Sequence, residues 1–311
     1  MKISIVTPCF DRSEYLNETI ESIVSQAGEF EIEYIIQNGG RNHEVNAILE
    51  KWDEIIKAKK YSIRCNSLSF QYYNEQDDGM YDAVNKGFHK STGDIMAWLN
   101  SDDVYFPHAF STVTTVFRQF KDVLWITGVT SLINKKGEII YNSYYEPLAY
   151  SRYFIIKGLY HIHNKNIGLN WIQQEPTFWK RELWEKAGGK VNSMLNFAAD
   201  YHLWKNMAHY SDLVKVYSPI GAFRRHGEQK TSNALETYVE ETEKKNEVPR
   251  GFITLRKILQ NYPFLRECIF RKKIGEFLLR YLKLEKGWLF GRVVRWDFVN
   301  NKWIIFLGRI V

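Results

Sequence analysis

Apolar positions in this chain come in blocks whose spacing changes from block to block. Residues 2–8 form a short apolar run, and Leu16, Ile20, Ile23, Val24 and Ala27 then recur at helical spacing behind Asp11 and Glu14, which stand like a capping pair. That predicts strand, loop, helix. Three further runs follow: Ile32 to Gln37, ending in Asn38-Gly39-Gly40; Phe70 to Asn74; and Ile95 to Leu99, stopping at Asn100-Ser-Asp-Asp103. Helical spacing fills the gaps, notably at Met80, Ala83, Val84, Gly87 and Phe88. Near-continuous apolar strands alternating with helices predict an α/β fold with a parallel sheet covered on both faces.

From Gly128 the pattern is mixed and aromatic-rich, with a helix predicted near Phe197 to Ala208. Glu236 to Arg250 is polar and reads as a hinge. Ile274, Phe277, Leu278 and Tyr281 then mark one apolar helical face, so the end of the chain is predicted as a C-terminal, mainly helical extension.

Composition sharpens this division. The 311 residues are 45% apolar and 15% aromatic, enough for a substantial core. The net charge of +6 is unevenly placed: residues 251–311 hold 13 Lys and Arg against 4 Asp and Glu, a local +9 that leaves −3 on the first 250. Cys9, Cys65 and Cys268 are scattered without CxxC or Cys/His spacing, which argues against a disulfide framework or a zinc site and for a reducing compartment. No secretory leader pattern precedes the first strand, so a cytoplasmic location is expected. No repeat, low-complexity tract or dinucleotide glycine fingerprint is present.

Ligands of open α/β sheets sit at the carboxyl ends of strands, and the polar residues of interest fall there: Asp11, Asn38, Asp77 with Asp78, and Asp102 with Asp103. Adjacent carboxylates on a loop ending a buried strand suit a hard cation, Mg²⁺ or Mn²⁺, which could hold a diphosphate and neutralise charge on a leaving phosphate. Alone, Ser-Asp-Asp is more often a solvated turn with capping aspartates.

Its context is more specific. Asp77-Asp-Gly-Met-Tyr-Asp-Ala-Val-Asn-Lys-Gly87 followed by Ser91-Thr-Gly-Asp-Ile-Met-Ala-Trp-Leu-Asn-Ser-Asp-Asp103 resembles the signature of family 2 glycosyltransferases of the GT-A fold. Ile5-Val-Thr-Pro-Cys-Phe-Asp-Arg12 resembles that family's first strand and donor loop, and Gln173-Gln-Glu-Pro-Thr-Phe-Trp-Lys-Arg181, Ala199-Asp-Tyr-His-Leu-Trp204 and Phe223-Arg-Arg-His226 its later segments. The resemblance spans roughly residues 1–233 and implies a Rossmann-like, mostly parallel sheet flanked by helices. Residues 1–235 would form the GT-A domain, with a nucleotide-sugar half (1–127) and an acceptor half (128–235), and 236–311 the hinge and extension.

Carried over by position, the resemblance implies a metal-dependent, inverting transfer of sugar from a nucleotide-diphosphate donor to a glycan or lipid-linked saccharide, in surface polysaccharide assembly. Pro8, Asp11, Asn38 and Asp77 or Asp78 would line base and ribose, Asp102 the ribose or sugar, and Asp103 would be the main metal ligand. His226 would complete the metal or diphosphate site, or be a plain surface histidine. Gln174 and Glu175 would face the acceptor. Asp200 would be the general base, since the incoming hydroxyl must lose its proton as it attacks, or an ordinary helix cap. Lys86 reads as a donor contact or a helix-surface lysine; Arg224, Arg225 and Lys230 as a closing cationic loop or solvated charges.

Two departures bear on the donor. Asn38 stands where the family carries a base-reading aspartate, and Arg41-Asn-His43 replaces small hydroxyl residues. GDP and dTDP donors therefore stand open beside UDP. The extension, with Arg271-Lys-Lys273, Arg280, Lys283, Arg292 and Arg295 among Trp288, Trp296 and Trp303, fits an anionic membrane surface. It fits equally a tail folded onto the catalytic domain or packed in a homo-oligomer. No apolar run approaches the roughly 20 residues of a spanning helix, and no nucleic-acid-binding motif accompanies the basic residues. The rival reading is a non-catalytic glycan- or nucleotide-binding scaffold subunit.

Overall fold

A computed structural model describes residues 1–143, 149–161, 169, 171–227, 235–242, 248–261, 264 and 290–309. The first strand, β1 (Lys2–Cys9), is buried on both faces beyond its first residue. It pairs in parallel with β2 (Gly28–Asn38) and β4 (Ile95–Trp98), and β2 in turn with β3 (Cys65–Asn74). β3 begins earlier than its apolar run indicates because it is an edge strand, half exposed along its length.

Helices α1 (Leu16–Val24), α2 (His43–Lys57) and α3 (Met80–Lys90) connect these strands, α4 (Ala109–Gln119) follows them, and together they cover both faces. Ile3, Ile5, Phe30 and Tyr34 meet α1 and α4 on one side; Val6 and Ile35 meet Val84 and Phe88 of α3 on the other. At Gly87 the approach of α3 to the sheet is so close that a Cβ would stand 2.4 Å from Val6 Cγ1. The expected capping pair is not one: α1 starts after Tyr15 with no side-chain cap, and Asp11 Oδ1 instead accepts the amides of Arg41 and Asn42 at 3.0 and 3.1 Å.

Beyond β4, β6 (Trp125–Val129) and β10 (Leu213–Pro219) pair in parallel, while β9 (Thr177–Lys180) runs antiparallel between β4 and β6. The aromatic-rich stretch proves to be core. Trp204 of α7 (Ala199–Ala208) stacks on Trp98 with centroids 6.0 Å apart and lies 5.8 Å from Trp125, fixing α7 against the sheet. A small second sheet, in the order β5 (Val104–Tyr105), β11 (Gly221–Arg224), β7 (Ser131–Ile133), β8 (Ile139–Asn142), lies over the end of β4.

The main sheet continues into the extension. β12 (Phe290–Asp297) pairs in parallel with β10 and antiparallel with β13 (Lys302–Arg309), which completes the order β13-β12-β10-β6-β9-β4-β1-β2-β3. Helical structure is found at Leu235–Glu241 and Arg250–Asn261, but Arg292, Arg295, Trp296 and Trp303, expected in a mainly helical tail, lie in strands. The predicted hinge is partly docked, with Val239 and Thr242 buried. The basic and apolar positions named between 271 and 288 lie outside the described residues. Among the described residues no helix is long and apolar enough to cross a membrane.

Candidate active site

Because β4 is buried on every residue, its polar continuation Asn100-Ser101-Asp102-Asp103 is forced out at the strand's carboxyl end. The turn closes with the Asp103 amide donating to Asn100 O at 3.2 Å. The two aspartates then part company. Asp103 is fully buried, with Oδ1 accepting the Arg224 amide (2.8 Å) and Oδ2 accepting from Asn100 Nδ2 (3.1 Å). Burial, with the charges of Asp102 and Glu175 nearby, pushes its carboxyl well above the ordinary range. Asp102 opens into a cleft, its Oδ2 2.8 Å from His226 Nε2.

Arg224 holds this arrangement. Its Nε donates to Asp102 O (2.7 Å) and one NH2 group pairs with Glu18, while the guanidinium lies 4.4 Å from the Tyr15 ring centroid. Tyr15 in turn sits 5.4 Å from the His226 ring. Arg224 is therefore neither a solvated charge nor a closing loop residue: it is buried beneath the turn. Arg225 does line the cleft, and Lys230 lies outside the described residues.

The cleft has a volume of about 1180 Å³, above the roughly 300–1,000 Å³ of a drug-sized site. Of the residues expected from sequence, it is lined by Pro8, Asp11, Asp77, Asp102, Gln174, Glu175, Asp200 and His226. The antiparallel insertion of β9 explains two of these, since it brings the start of that strand to the carboxyl end of β4. There Gln174 donates to Trp98 O and Glu175 is buried, with Gln174 Oε1 and Glu175 Oε2 unpartnered among the described residues. Burial raises the Glu175 carboxyl, and Asp200 and Asp102 add to the effect.

Asp200 sits in the first turn of α7, where burial and, secondarily, the charge of Glu241 push its carboxyl up to about 6, against an opposing hydrogen bond from the Tyr201 amide. It is not the cap of that helix, whose N-cap is Ala198.

Three expected residues are placed elsewhere. Asn38 is buried outside the cleft lining, its amide donating to Asn74 Oδ1 (2.8 Å) and Asn46 Oδ1 (3.2 Å) and its oxygen accepting from Gly40 (3.2 Å). Asp78 is exposed beside the cleft and only Asp77 lines it, packed so tightly on Gly39 that a Cβ there would stand 1.9 Å from Asp77 Oδ2. Asp103, expected as the main metal ligand, faces the protein. Lys86 resolves to the helix surface, paired with Asp82 at 2.7 Å. Conversely, Trp171, Phe197 and Tyr238 line the cleft and Tyr15 backs His226 without having been singled out. The aromatic richness around Trp171 was the one signal for them, whereas nothing local marks Tyr238.

A hard cation fits this geometry to a defined extent. Asp102 and His226 offer an oxygen and a nitrogen opening on the cleft, and Asn100 Oδ1 is buried beside them without a partner among the described residues. No cluster of three His, Cys, Asp or Glu ligands exists among the described residues, so phosphate oxygens would have to complete the coordination, as is usual for Mg²⁺.

Comparison with known proteins agrees with this architecture. Residues 4–173 match the family described as Glycosyl transferase family 2. An uncharacterized glycosyltransferase of Rickettsia prowazekii is 25% identical over 241 residues, covering 75% of this chain and 67% of that protein; one of Rickettsia typhi is 24% identical with the same coverage. Among solved structures, Staphylococcus aureus TarS 1-349 in complex with UDP-GlcNAc superposes with a TM-score of 0.55 at 14% identity, covering 77% of this chain and 64% of that one. The mannosyltransferase PcManGT of Pyrobaculum calidifontis, in complex with GDP-Man and Mn²⁺, gives 0.52 at 12% identity, covering 91% and 76%. At such identities the likeness establishes the shared fold.

Proposed function

The chain belongs to glycosyl transferase family 2, and from that premise we propose that it transfers a sugar from a nucleotide-diphosphate donor to a hydroxyl of a glycan or lipid-linked saccharide, with inversion, in surface polysaccharide assembly. The observation carrying this reading is that Asp200, with its raised carboxyl, and the Asp102–His226 pair open into one cleft. One inverting displacement requires one base and one leaving-group site. The acceptor oxygen bonds to the anomeric carbon as the bond from that carbon to the diphosphate oxygen breaks; the hydroxyl proton passes to Asp200, and the nucleoside diphosphate leaves.

Asp102 and His226 would hold Mg²⁺ or Mn²⁺ together with the diphosphate, and the ion would supply Lewis-acid neutralisation of the leaving group's charge. Asp77, at the end of β3, takes the place of Asn38 as the carboxylate available to an N–H of the base. Gln174 and Glu175 face the acceptor. PcManGT with GDP-Man and Mn²⁺, and TarS with UDP-GlcNAc, support a divalent ion and a nucleotide sugar without deciding the base.

Binding and hydrolysis of UDP-, GDP- and dTDP-sugars, with Mn²⁺, with Mg²⁺ and with chelator, test the reading. Metal-dependent recognition of one donor is expected. Asp200→Asn should keep donor affinity and lower turnover by about 10²–10⁴-fold, and the wild-type rate should fall below a pH of about 6, where Asp200 takes up a proton. Full activity in Asp200→Asn would remove it as the base, and no recognition of any donor by folded protein would favour the scaffold.

We also propose that the protein works at the cytoplasmic face of a membrane. Because β12 runs parallel to β10, and β10 to β6, its hairpin tip points to the same end of the sheet as the cleft. That tip carries Phe298 and Val299, 88% and 91% exposed, between Arg295 and Lys302.

A further inference from the structure

The N-terminus of α7 carries Asp200 but lacks a cap of its own. Its N-cap residue is Ala198, whose methyl group can accept nothing, and no side-chain cap bond comes from it. Within the first turn the Tyr201 amide is accepted by Asp200 Oδ1 itself. The turn that enters the helix is held from a distant part of the chain. Glu241 Oε1 accepts the Asn196 amide at 2.7 Å, and Oε2 accepts those of Phe197 and Ala198 at 2.8 and 2.9 Å. His202 Nε2 lies 2.8 Å from Glu241 O, binding the same two helices a second time. Across the turn, Tyr81 Oη donates to Phe197 O at 2.9 Å. The segment that leads into Asp200 is thus held from both sides, by α3 and by the helix Leu235–Glu241.

We propose that Glu241 is a positioning residue for the transfer: its carboxylate anchors the turn that enters α7, up to and including the N-cap amide, and so holds Asp200 at the angle from which it meets the acceptor hydroxyl. The inference rests on Asp200 being the base. Three charge-assisted bonds to consecutive amides form a rigid connection, and a negative charge at a helix N-terminus is favourable in itself. The same charge disfavours the ionised form of Asp200, keeping it a stronger base than an ordinary aspartate. The titratable groups around Asp200 are Glu241 and Tyr238 from the following helix, Glu175 before β9, Tyr81 from α3, and Tyr201 and Lys205 from α7 itself. Of these, Glu241 alone both raises the Asp200 carboxyl and bonds the turn before it.

Two variants separate the roles. Glu241→Ala removes the anchor: turnover of the nucleotide sugar identified by the donor panel is expected to drop at least tenfold, with KM for that donor within twofold of wild type. Glu241→Gln keeps one of the two oxygen acceptors, enough for the Phe197 and Ala198 amides, and loses the charge: turnover at pH 8 is expected to exceed that of Glu241→Ala, while the acidic limb of the rate profile moves to lower pH. Circular dichroism and calorimetric binding of the matching nucleoside diphosphate check that each variant is folded and binds. Unchanged turnover in Glu241→Ala, or an unmoved acidic limb in Glu241→Gln, overturns the inference when Asp200→Asn is itself inactive. If Asp200→Asn is active, the base assignment has failed first.

Discussion

The sequence pattern does not show which of Asp102 and Asp103 faces the cleft. Both follow one buried strand, both are carboxylates, and both match the family's acidic loop. What separates them is Arg224, more than a hundred positions downstream, whose amide takes Asp103 Oδ1 while its side chain takes the Asp102 carbonyl. The cleft-facing acid is therefore legible only once β11 has been laid beside the turn. Asp102→Ala is expected to abolish Mn²⁺ binding while leaving thermal stability near that of the parent, as followed by Mn²⁺ electron paramagnetic resonance and calorimetry. Asp103→Ala leaves a buried Arg224 amide unpaired and should cost on the order of 1–3 kcal/mol of stability. A stable Asp103→Ala protein that has lost Mn²⁺ would return the ligand role to Asp103. Asn38 teaches the same lesson, because its amide is engaged by Asn46 and Asn74 before any base arrives.

Elements that bury both faces or one clean stripe were readable: β1, β4, α1, α3 and α7 all fall where the apolar spacing puts them. The misses have a common cause. β9 has four residues, and its role depends on running antiparallel between two strands far away in sequence. β12 and β13 mix basic and aromatic residues in a way that also suits a helix, and pairing with β10 decides the matter. The helix Leu235–Glu241 looks like a hinge because most of its residues are polar, although one of them anchors the turn that enters the helix carrying Asp200. Close helix–sheet packing yields a sharper expectation at Gly87. Gly87→Ala would ordinarily favour a helix by about 1 kcal/mol, but here the methyl meets Val6 Cγ1 at 2.4 Å. A net loss of about 1–3 kcal/mol from overpacking is expected in denaturant unfolding, and a stabilised variant would show that α3 can shift.

At the scale of the whole molecule, one sheet runs from β3 to β13, so the C-terminal strands are part of the scaffold that carries the cleft. Deleting residues 251–311 would strip β10 of one of its two neighbours and confound any membrane experiment. Substitution at the hairpin tip is the cleaner test. Phe298→Ser with Val299→Ser should keep the melting temperature and donor hydrolysis while reducing flotation with vesicles rich in anionic lipid, and equal flotation would end the tip's proposed role. Attachment there would turn the cleft toward the lipid surface, where a lipid-linked acceptor is presented.

Arg224 joins pieces from four parts of the chain: Glu18 in α1, the 102–103 turn, the carbonyls of Asn134 and Lys135, and its own strand β11. Such a node makes the Asp102–His226 end of the cleft cooperative. None of the four can loosen alone without leaving a buried guanidinium partly unsatisfied, so that end must open as one unit or stay closed. With the Asp200 end held by Glu241 and Tyr81, the cleft is braced at both ends by residues distant in sequence.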